Sequence, residues 1–110
     1  MKVILISNYG ISVKLVSSET EMNSLLSNSF EDYVIPGYID LPNNLTAIYN
    51  DGDIDPEFKF ENTIAKKITG YDLINPVVIC RFIDPEGLSD LVDVLDVDID
   101  EICDKLKANK

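Results

Sequence analysis

The beginning of the chain has the hydrophobic pattern of a β-hairpin. Val3 to Ile6 is an apolar stretch, and from Ile11 to Val16 apolar positions alternate with Ser12 and Lys14. This alternation has the two-residue period of a strand, and Asn8-Tyr9-Gly10 between the two stretches is rich in turn-forming residues. We therefore expect two antiparallel strands connected by a tight turn.

A short amphipathic helix is predicted directly after the hairpin. Ser18, followed three residues later by Glu21, forms a capping box, and Met22, Leu25 and Leu26 recur at helical spacing. The pattern predicts a helix from about Glu19 to Asn28 with one apolar face.

The central part of the chain predicts a second hairpin. Tyr33 to Leu41 is rich in strand-forming residues and is interrupted at Pro36-Gly37. Leu45 to Tyr49 is the second strand-like stretch, and Pro42-Asn43-Asn44 between them is a turn sequence.

The segment after this hairpin predicts a short helix and a buried strand. The helix covers Asn62 to Ile68 and ends at Gly70, a residue suited to a helix C-terminus. Val77 to Ile83 is almost uninterrupted by polar residues and rich in β-branched ones, which favours a strand covered on both faces.

The last quarter of the chain predicts two short helices. Asp84-Pro85-Glu86 precedes an apolar series at helical spacing, an arrangement typical of a capped helix start. Asp98 and Glu101 form a second acid-led box at the start of the final helix. The two apolar series are Leu88, Leu91, Val92 and Leu95, and Ile99, Ile102, Cys103 and Leu106.

Together these elements predict an α+β fold. We expect a mixed or antiparallel sheet of about five strands, with an early helix and two short C-terminal helices packed on it. The chain has 110 residues, is 45% hydrophobic and contains no linker or repeat, so one compact domain over residues 1–110 is expected. Cys80 and Cys103 lie in apolar patterns and are expected to be buried free thiols.

The charge of the chain narrows its set of partners. There are 20 Asp and Glu against 9 Lys and Arg, for a formal net charge of −11. Direct binding to nucleic acids or anionic membranes requires clustered Lys and Arg and is not expected. No apolar run approaches the roughly 20 residues of a membrane span, and the apolar start before Ser7 is too short for a secretion signal. We therefore expect a cytoplasmic location.

The residue types present argue against enzymatic chemistry. The chain has no histidine, which removes Ser-His and Cys-His pairs and the usual general base near neutral pH. Its five glycines are scattered, and none stands in a phosphate-binding motif. We expect a non-enzymatic protein with no catalytic residue and no cofactor. A carboxylate pair in a shielded cleft is the one enzymatic alternative.

The loop that begins at Asp51 has the opening spacing of a calcium loop, because Asp51, Asp53 and Asp55 alternate. However, Pro56 stands at the sixth position, where the EF-hand requires glycine, and Asn62 replaces the glutamate of the twelfth. This excludes a high-affinity calcium site, and no metal site is predicted. A solvated turn and a weak cation site remain the two interpretations.

An acidic surface in the last quarter is the strongest functional feature. Nine acids and no basic residue occur between positions 84 and 104. At about 100° per residue, Glu86, Asp90 and Asp93 lie opposite the first apolar stripe and face solvent. Glu101 and Asp104 lie opposite the second stripe in the same way. Like charges three or four positions apart destabilise a helix by a few tenths of a kcal/mol per pair, so this imbalance favours a binding role. The predicted partner-binding residues are Glu86, Asp90, Asp93, Asp96, Asp98, Asp100, Glu101 and Asp104.

Two functions are compatible with this surface. Carboxylates on adjacent helical turns are about 5 to 6 Å apart, close to the spacing of phosphates along a nucleic acid strand. The first function is therefore a non-enzymatic binding protein that engages a basic surface of a host protein, such as a nuclease or another nucleic-acid-binding protein, by mimicking nucleic acid. The alternative is a structural or assembly protein that self-associates through a sheet edge or an apolar patch, with acidity serving only solubility.

Four short stretches between Gly37 and Ile79 form a further pattern. They are Gly37-Tyr38-Ile39, Leu45 to Gly52, Asn62-Thr63-Ile64-Ala65 and Asp72 to Ile79. The series resembles an uncharacterised family of small proteins carried by phages and mobile elements of Gram-positive bacteria, although Asn75-Pro76 stands where that pattern has glycine. The resemblance implies an accessory protein of a mobile element and transfers no catalytic residue to this chain.

Overall fold

The structure is a computed structural model that describes residues 1–26, 35–52, 57, 59–83 and 90–108. These residues form an α+β fold with an early helix and a C-terminal helix, which confirms the predicted fold class. The strands are β1 (Lys2–Ser7), β2 (Gly10–Leu15), β3 (Pro36–Leu41), β4 (Leu45–Asn50), β5 (Val77–Ile83) and β6 (Asp90–Val92), and the helices are α1 (Glu19–Ser24), α2 (Thr63–Thr69) and α3 (Asp96–Ala108).

The sheet is antiparallel throughout, with β5 at its centre. Its order is β2-β1-β5-β4-β3, and β6 pairs with the C-terminal part of β5. Because Arg81 of β5 pairs with Leu45 of β4 and with Val92 of β6, β6 lies on the same side of β5 as β1. The residues from Val77 to Cys80 are fully buried, as the uninterrupted apolar run predicts.

The two faces of the sheet carry separate apolar clusters. On one face, Ala65 and Ile68 of α2 and Ile102 of α3 pack against the sheet. On the other face, Met22 of α1 and the adjacent Leu26 pack against it. Burying a side chain of this size stabilises the fold by about 1.5 to 3 kcal/mol. The sheet residues beneath α2 and α3 are Ile4, Ile6, Leu45, Ala47, Val77 and Ile79, and those beneath α1 are Val3, Ile48, Val78 and Cys80.

One of the two predicted C-terminal helices is wrong over its second half. Residues 84–89 lie outside the described residues, but Asp90–Val92 forms β6 and residues 93–95 are not helical. The β1 strand pairs with β5 only over Val77–Ile79, so the edge of β5 from Arg81 to Ile83 needs another partner. Strand β6 forms hydrogen bonds with these backbone groups of β5. This stabilises the segment more than a helix would, because its apolar residues follow helical spacing over only two turns.

The β3 strand also differs from its prediction. Pro36 and Gly37, predicted to interrupt the strand, are its first two residues. The strand lies at the edge of the sheet. Proline is tolerated there because no neighbouring strand needs a hydrogen bond from its backbone nitrogen. Gly37 lies under the ring of Tyr49, and a Cβ atom at this position would collide with that ring. The register of this hairpin, with Gly37 opposite Tyr49, therefore requires a glycine.

Helix α1 confirms the predicted start, with one change in its capping. The Ser18 side chain accepts a hydrogen bond from the Glu21 N–H at 3.1 Å, as a capping box requires. The Glu21 carboxylate accepts from the Ser17 hydroxyl and N–H, and these bonds lower the pKa of Glu21. The predicted end of this helix at Asn28 lies outside the described residues.

Helix α2 has both predicted caps. The Asn62 side chain accepts from the Ala65 N–H at 3.0 Å, and Gly70 adopts a left-handed φ of 81° after the last turn. Asn62 is also fully buried, and its Nδ2 donates to the carbonyls of Ile6 and Asn75, both at 2.9 Å. The cap of α2 therefore also ties the helix to β1 and to the start of β5.

No helix in the described part of the chain is long and apolar enough to cross a membrane.

Candidate partner-binding site

Three of the predicted partner-binding acids form a row along α3. Asp96, Asp100 and Asp104 are exposed and follow one another at intervals of four residues. They therefore lie on one side of the helix, about 6 Å apart along its axis. Glu101 is also exposed, on the flank of this row, and its carboxylate accepts a hydrogen bond from Asn43 Nδ2 at 2.8 Å.

Asp98 does not belong to this exposed surface. It is only 2% exposed, and its Oδ2 accepts from the Leu95 N–H at 2.8 Å and pairs with Arg81 Nη1 at 3.3 Å. Helix α3 begins at Asp96, so Asp98 is the third residue of the helix and its carboxylate caps the N–H that precedes it. The N-terminal capping box of α3 therefore lies about one turn earlier than predicted, with Asp98 at its last position instead of its first. The Asp98 carboxylate stabilises the fold and is not part of the exposed acidic surface.

The remaining predicted acids do not extend the row into a two-helix surface. Asp93 is exposed in the link between β6 and α3, and its Oδ1 accepts from the Lys2 N–H at 2.8 Å. Asp90 is the first residue of β6 and is not on a helix. Glu86 lies outside the described residues. The acidic surface supported by the structure is therefore α3 itself.

The turn Pro42–Asn44 lies between two grooves at the end of the sheet nearest α3. Asn43 and Asn44 both adopt left-handed φ angles, of 65° and 64°, a conformation that asparagine tolerates better than most residues. Two contacts hold the turn in place: Arg81 Nη1 donates to the Asn43 carbonyl at 3.1 Å, and Asn43 donates to Glu101. The Arg81–Asp98 pair thus links β5, this turn and α3.

The first groove opens on the α1 face of the sheet and has a volume of about 670 Å³. Glu19 from the start of α1 and Asp40 from β3 line it, together with the aromatic rings of Tyr38 and Phe82. Both carboxylates are exposed, and none of the described residues that line this groove is basic. Thr46 supplies a hydroxyl group on the floor.

The second groove lies on the opposite face, between the turn and α3, and has a volume of about 430 Å³. Its floor is apolar and includes Ile68 and Ile102. Glu101 and Asp104 line it with exposed carboxylates, and Lys105 is also at its border.

We call Glu19, Asp40, Glu101 and Asp104 the acidic rim. Two of these acids, Glu101 and Asp104, were predicted from the helical acid pattern. Glu19 and Asp40 have no such signal, because they lie in distant parts of the sequence and neither belongs to a series of acids at helical spacing. The structure brings the two pairs to the same end of the sheet, on opposite faces, because β3 and β4 turn at Pro42–Asn44 beside the helix that contains Glu101 and Asp104.

No metal centre is present among the described residues, since no three Asp, Glu or Cys side chains there lie close enough to hold an ion. The loop that begins at Asp51 includes residues 53–56, which lie outside the described residues. Its two interpretations, a solvated turn and a weak cation site, therefore both stay predictions from the sequence.

Both cysteines are free thiols, as the sequence predicts, but the predicted burial is confirmed only for Cys80. Cys80 is fully buried in the cluster beneath α1, and Cys103 is half-buried on α3.

The chain was also compared with known proteins, and no family model, curated protein or solved structure matches it. The resemblance of residues 37–79 to a family of phage and mobile-element proteins stays a prediction. The molecule is defined by its α+β fold and by the acidic rim.

Proposed function

We propose that this protein is a non-enzymatic binding protein whose acidic rim engages a basic surface of another protein. The observation that carries the proposal is that exposed carboxylates lie over a groove on each side of the Pro42–Asn44 turn. Each groove combines these carboxylates with aromatic or apolar side chains.

This combination suits the side chains of arginine and lysine. A carboxylate accepts charge-assisted hydrogen bonds from a guanidinium or ammonium group, and an arginine can bond in two places at once. Tyr38 and Phe82 in the first groove offer aromatic surfaces, and a cation over such a ring gains about 0.5 to 1 kcal/mol at an exposed site. The apolar floor of the second groove accepts the hydrocarbon part of a long basic side chain.

The partner must bring several basic groups at the same time. A single exposed ion pair contributes only about 0 to 1 kcal/mol, so one lysine or arginine does not produce a stable complex. The row of Asp96, Asp100 and Asp104 continues the acidic rim along α3 and adds regularly spaced charges. A protein groove that binds a nucleic acid strand has clustered cations of this kind, so we propose a nucleic-acid-binding protein of the host as the partner and mimicry of nucleic acid as the mode of binding. Inhibition of that partner and an origin in a phage or mobile element belong to the same proposal.

The test is a pull-down from bacterial lysate with two matched triple variants. The rim variant carries Glu19→Gln, Asp40→Asn and Glu101→Gln, and it changes both grooves. The control variant carries Asp51→Asn, Glu57→Gln and Glu61→Gln, three exposed acids at or beyond the Asn50 end of the sheet. Both variants lose the same net charge, so a difference between them reports on position rather than on total charge.

We expect one basic nucleic-acid-binding protein to be retained by the wild type at about 50 mM salt and released at about 300 mM or by competing duplex DNA. The control variant should retain it, and the rim variant should lose it. Equal loss in both variants, or retention by the rim variant, contradicts a role of the acidic rim.

A further inference from the structure

The outer edge of β2 has backbone groups that no other described residue pairs with. Met1 and Val16 exchange hydrogen bonds across the β1–β2 hairpin, since the Val16 N–H donates to the Met1 carbonyl and the Met1 nitrogen donates to the Val16 carbonyl. Bonded and non-bonded pairs alternate along an antiparallel ladder, so Lys14 and Ser12 are the next β2 residues bonded to β1. The N–H and C=O groups of Ile11, Val13 and Leu15 therefore point away from β1. Within the described residues, β2 is a terminal strand and nothing pairs with this edge.

The side chains of this edge are also suited to contact another strand. Ile11, Val13 and Leu15 share one face of the sheet, and Val13 is 44% and Leu15 73% exposed. On the opposite face, β2 presents only Ser12 and Lys14. An edge strand with one apolar face is a ready template for pairing with a further strand.

The hairpin differs in charge from the rest of the chain. Residues 1–18 contain Lys2 and Lys14 and no acid, so all 20 acids of the chain lie at position 19 or later. Two copies of a protein with a net charge of −11 repel each other, and the cost of approach is lower at the β2 strand itself, which carries Lys14 and no acid. This favours the β2 edge as the point of contact between copies.

The other end of the sheet is protected against pairing. The Asp51 N–H donates to the Ile35 carbonyl, so Ile35 is bonded to the β4 side. By the same alternation, the β3 residues whose backbone groups point away from β4 are Pro36, Tyr38 and Asp40. Pro36 has no N–H to donate, and Asp40 places a charge at the edge, and both features are known to block edge pairing. Pairing of β2 in one copy with β3 in the next would add copies without limit, and it is disfavoured by these two features. Pairing of β2 with β2 instead produces a closed dimer with two-fold symmetry.

We propose that a second copy of this chain pairs with β2 in an antiparallel manner, with Val13 on the two-fold axis. Val13 then lies opposite Val13 of the other copy, and Ile11 lies opposite Leu15 on each side. These three pairs use all the outward-pointing groups identified above, and each pair exchanges two backbone hydrogen bonds. The apolar side chains meet on one face, while Ser12 lies opposite Lys14 on the other.

The register follows from the sequence of β2. Centring the pair on Lys14 places two ammonium groups directly opposite each other, which is destabilising. Centring it on Ser12 moves Leu15 opposite Tyr9 in the turn of the other hairpin and leaves its outward groups beyond the strand. Only the register centred on Val13 pairs every apolar residue of the edge with another apolar residue.

The first measurement is the solution mass by light scattering and sedimentation over a concentration series of the full chain. The interface is small, so the series must extend to near-millimolar protein. We expect the mass to rise from 12.3 kDa towards twice that value, and to do so more readily at about 0.5 M than at about 0.05 M salt, because salt screens the repulsion between copies. This salt dependence is opposite to that of the basic partner, so the two proposals fail independently.

The second measurement locates the interface by amide hydrogen exchange of single residues. In the dimer, the amides of Ile11, Val13 and Leu15 should become protected as concentration rises, while those of Ser12 and Lys14 are protected at every concentration. Val13→Pro removes one outward donor without breaking a bond to β1 and should keep the protein monomeric. Val13→Ala keeps that donor and controls for the lost side chain, so it should still dimerise. A chain that stays monomeric at all concentrations, or a dimer without the alternating protection, overturns the proposal.

Discussion

The carboxylate of Asp98 in α3 lies 3.3 Å from the guanidinium of Arg81 in β5, and both side chains are largely shielded from water. The same Asp98 oxygen accepts the Leu95 N–H, and the same Arg81 nitrogen donates to the Asn43 carbonyl. One ion pair therefore anchors the start of α3, the centre of the sheet and the turn between the two grooves.

Removing the Asp98 carboxylate should destabilise the fold strongly. Asp98→Ala leaves Arg81 without its charged partner and Leu95 without its cap, and we expect the free energy of unfolding in urea to fall by about 3 kcal/mol. Asp98→Asn keeps an acceptor for Leu95 and should cost less, about 1 to 2 kcal/mol. Asp100→Ala on the exposed side of the same helix is the control, with an expected change within about 0.5 kcal/mol. Equal effects at positions 98 and 100 would contradict the structural role of Asp98.

Asn62 should respond to substitution differently from an ordinary helix cap. Asn62→Ala loses the cap of α2 and leaves two buried carbonyls without a donor, so a loss of about 3 kcal/mol is expected in thermal or urea unfolding. At an exposed N-cap, Asn and Asp are nearly equivalent. Here, Asn62→Asp directs a carboxylate oxygen at the carbonyls of Ile6 and Asn75, and it should destabilise at least as much as Asn62→Ala. A stable Asn62→Asp variant would show that the two bonds to the carbonyls do not contribute.

The thiol of Cys80 should make stability fall at alkaline pH. Burial, assisted by the charge of Glu19, raises its pKa from 9.0 to about 12 in the folded state. Below about pH 8 the thiol is protonated in both states and stability is unaffected. Between pH 9 and pH 12 the unfolded chain releases a proton that the folded chain retains, so the free energy of unfolding decreases as pH rises. The contribution of this thiol at pH 10 is about 1 kcal/mol.

The Cys80→Ala variant isolates this contribution from the lysines and tyrosines that titrate in the same range. The stability difference between the wild type and Cys80→Ala, measured by urea unfolding, should be constant up to pH 8 and should shrink by about 1 kcal/mol at pH 10. A difference that does not change with pH would show that the thiol ionises as readily in the folded protein as in the unfolded one.

The local features of this fold could be predicted from short stretches of sequence. The β1–β2 hairpin, the Ser18 cap of α1, and the Asn62 and Gly70 caps of α2 each depend on side chains within a few positions of the backbone that they stabilise. The buried strand β5 was also predictable, because a strand covered on both faces must be apolar at every position.

The segment before α3 could not be predicted in the same way. A spacing such as that of Leu88, Leu91, Val92 and Leu95 fits one face of a helix, but Leu91 and Val92 lie in the strand β6, and Leu95 lies in the non-helical link before α3. The choice depends on whether the edge of β5 beyond Ile79 is open, and this is decided by where the pairing of β1 with β5 stops, at Ile4. That information lies about ninety residues earlier in the chain.

The sequence by itself determined the class of the fold, the excess of negative charge and its concentration in the last quarter, because these follow from composition and from the periods of strands and helices. Only the tertiary structure decided which acids are available. It buried Asp98 against Arg81 and brought Glu19 and Asp40 to the same end of the sheet as Glu101. The physical reason is that exposure and proximity depend on the order of strands in the sheet and on the helices packed on it, and these are set by contacts between residues far apart in the chain.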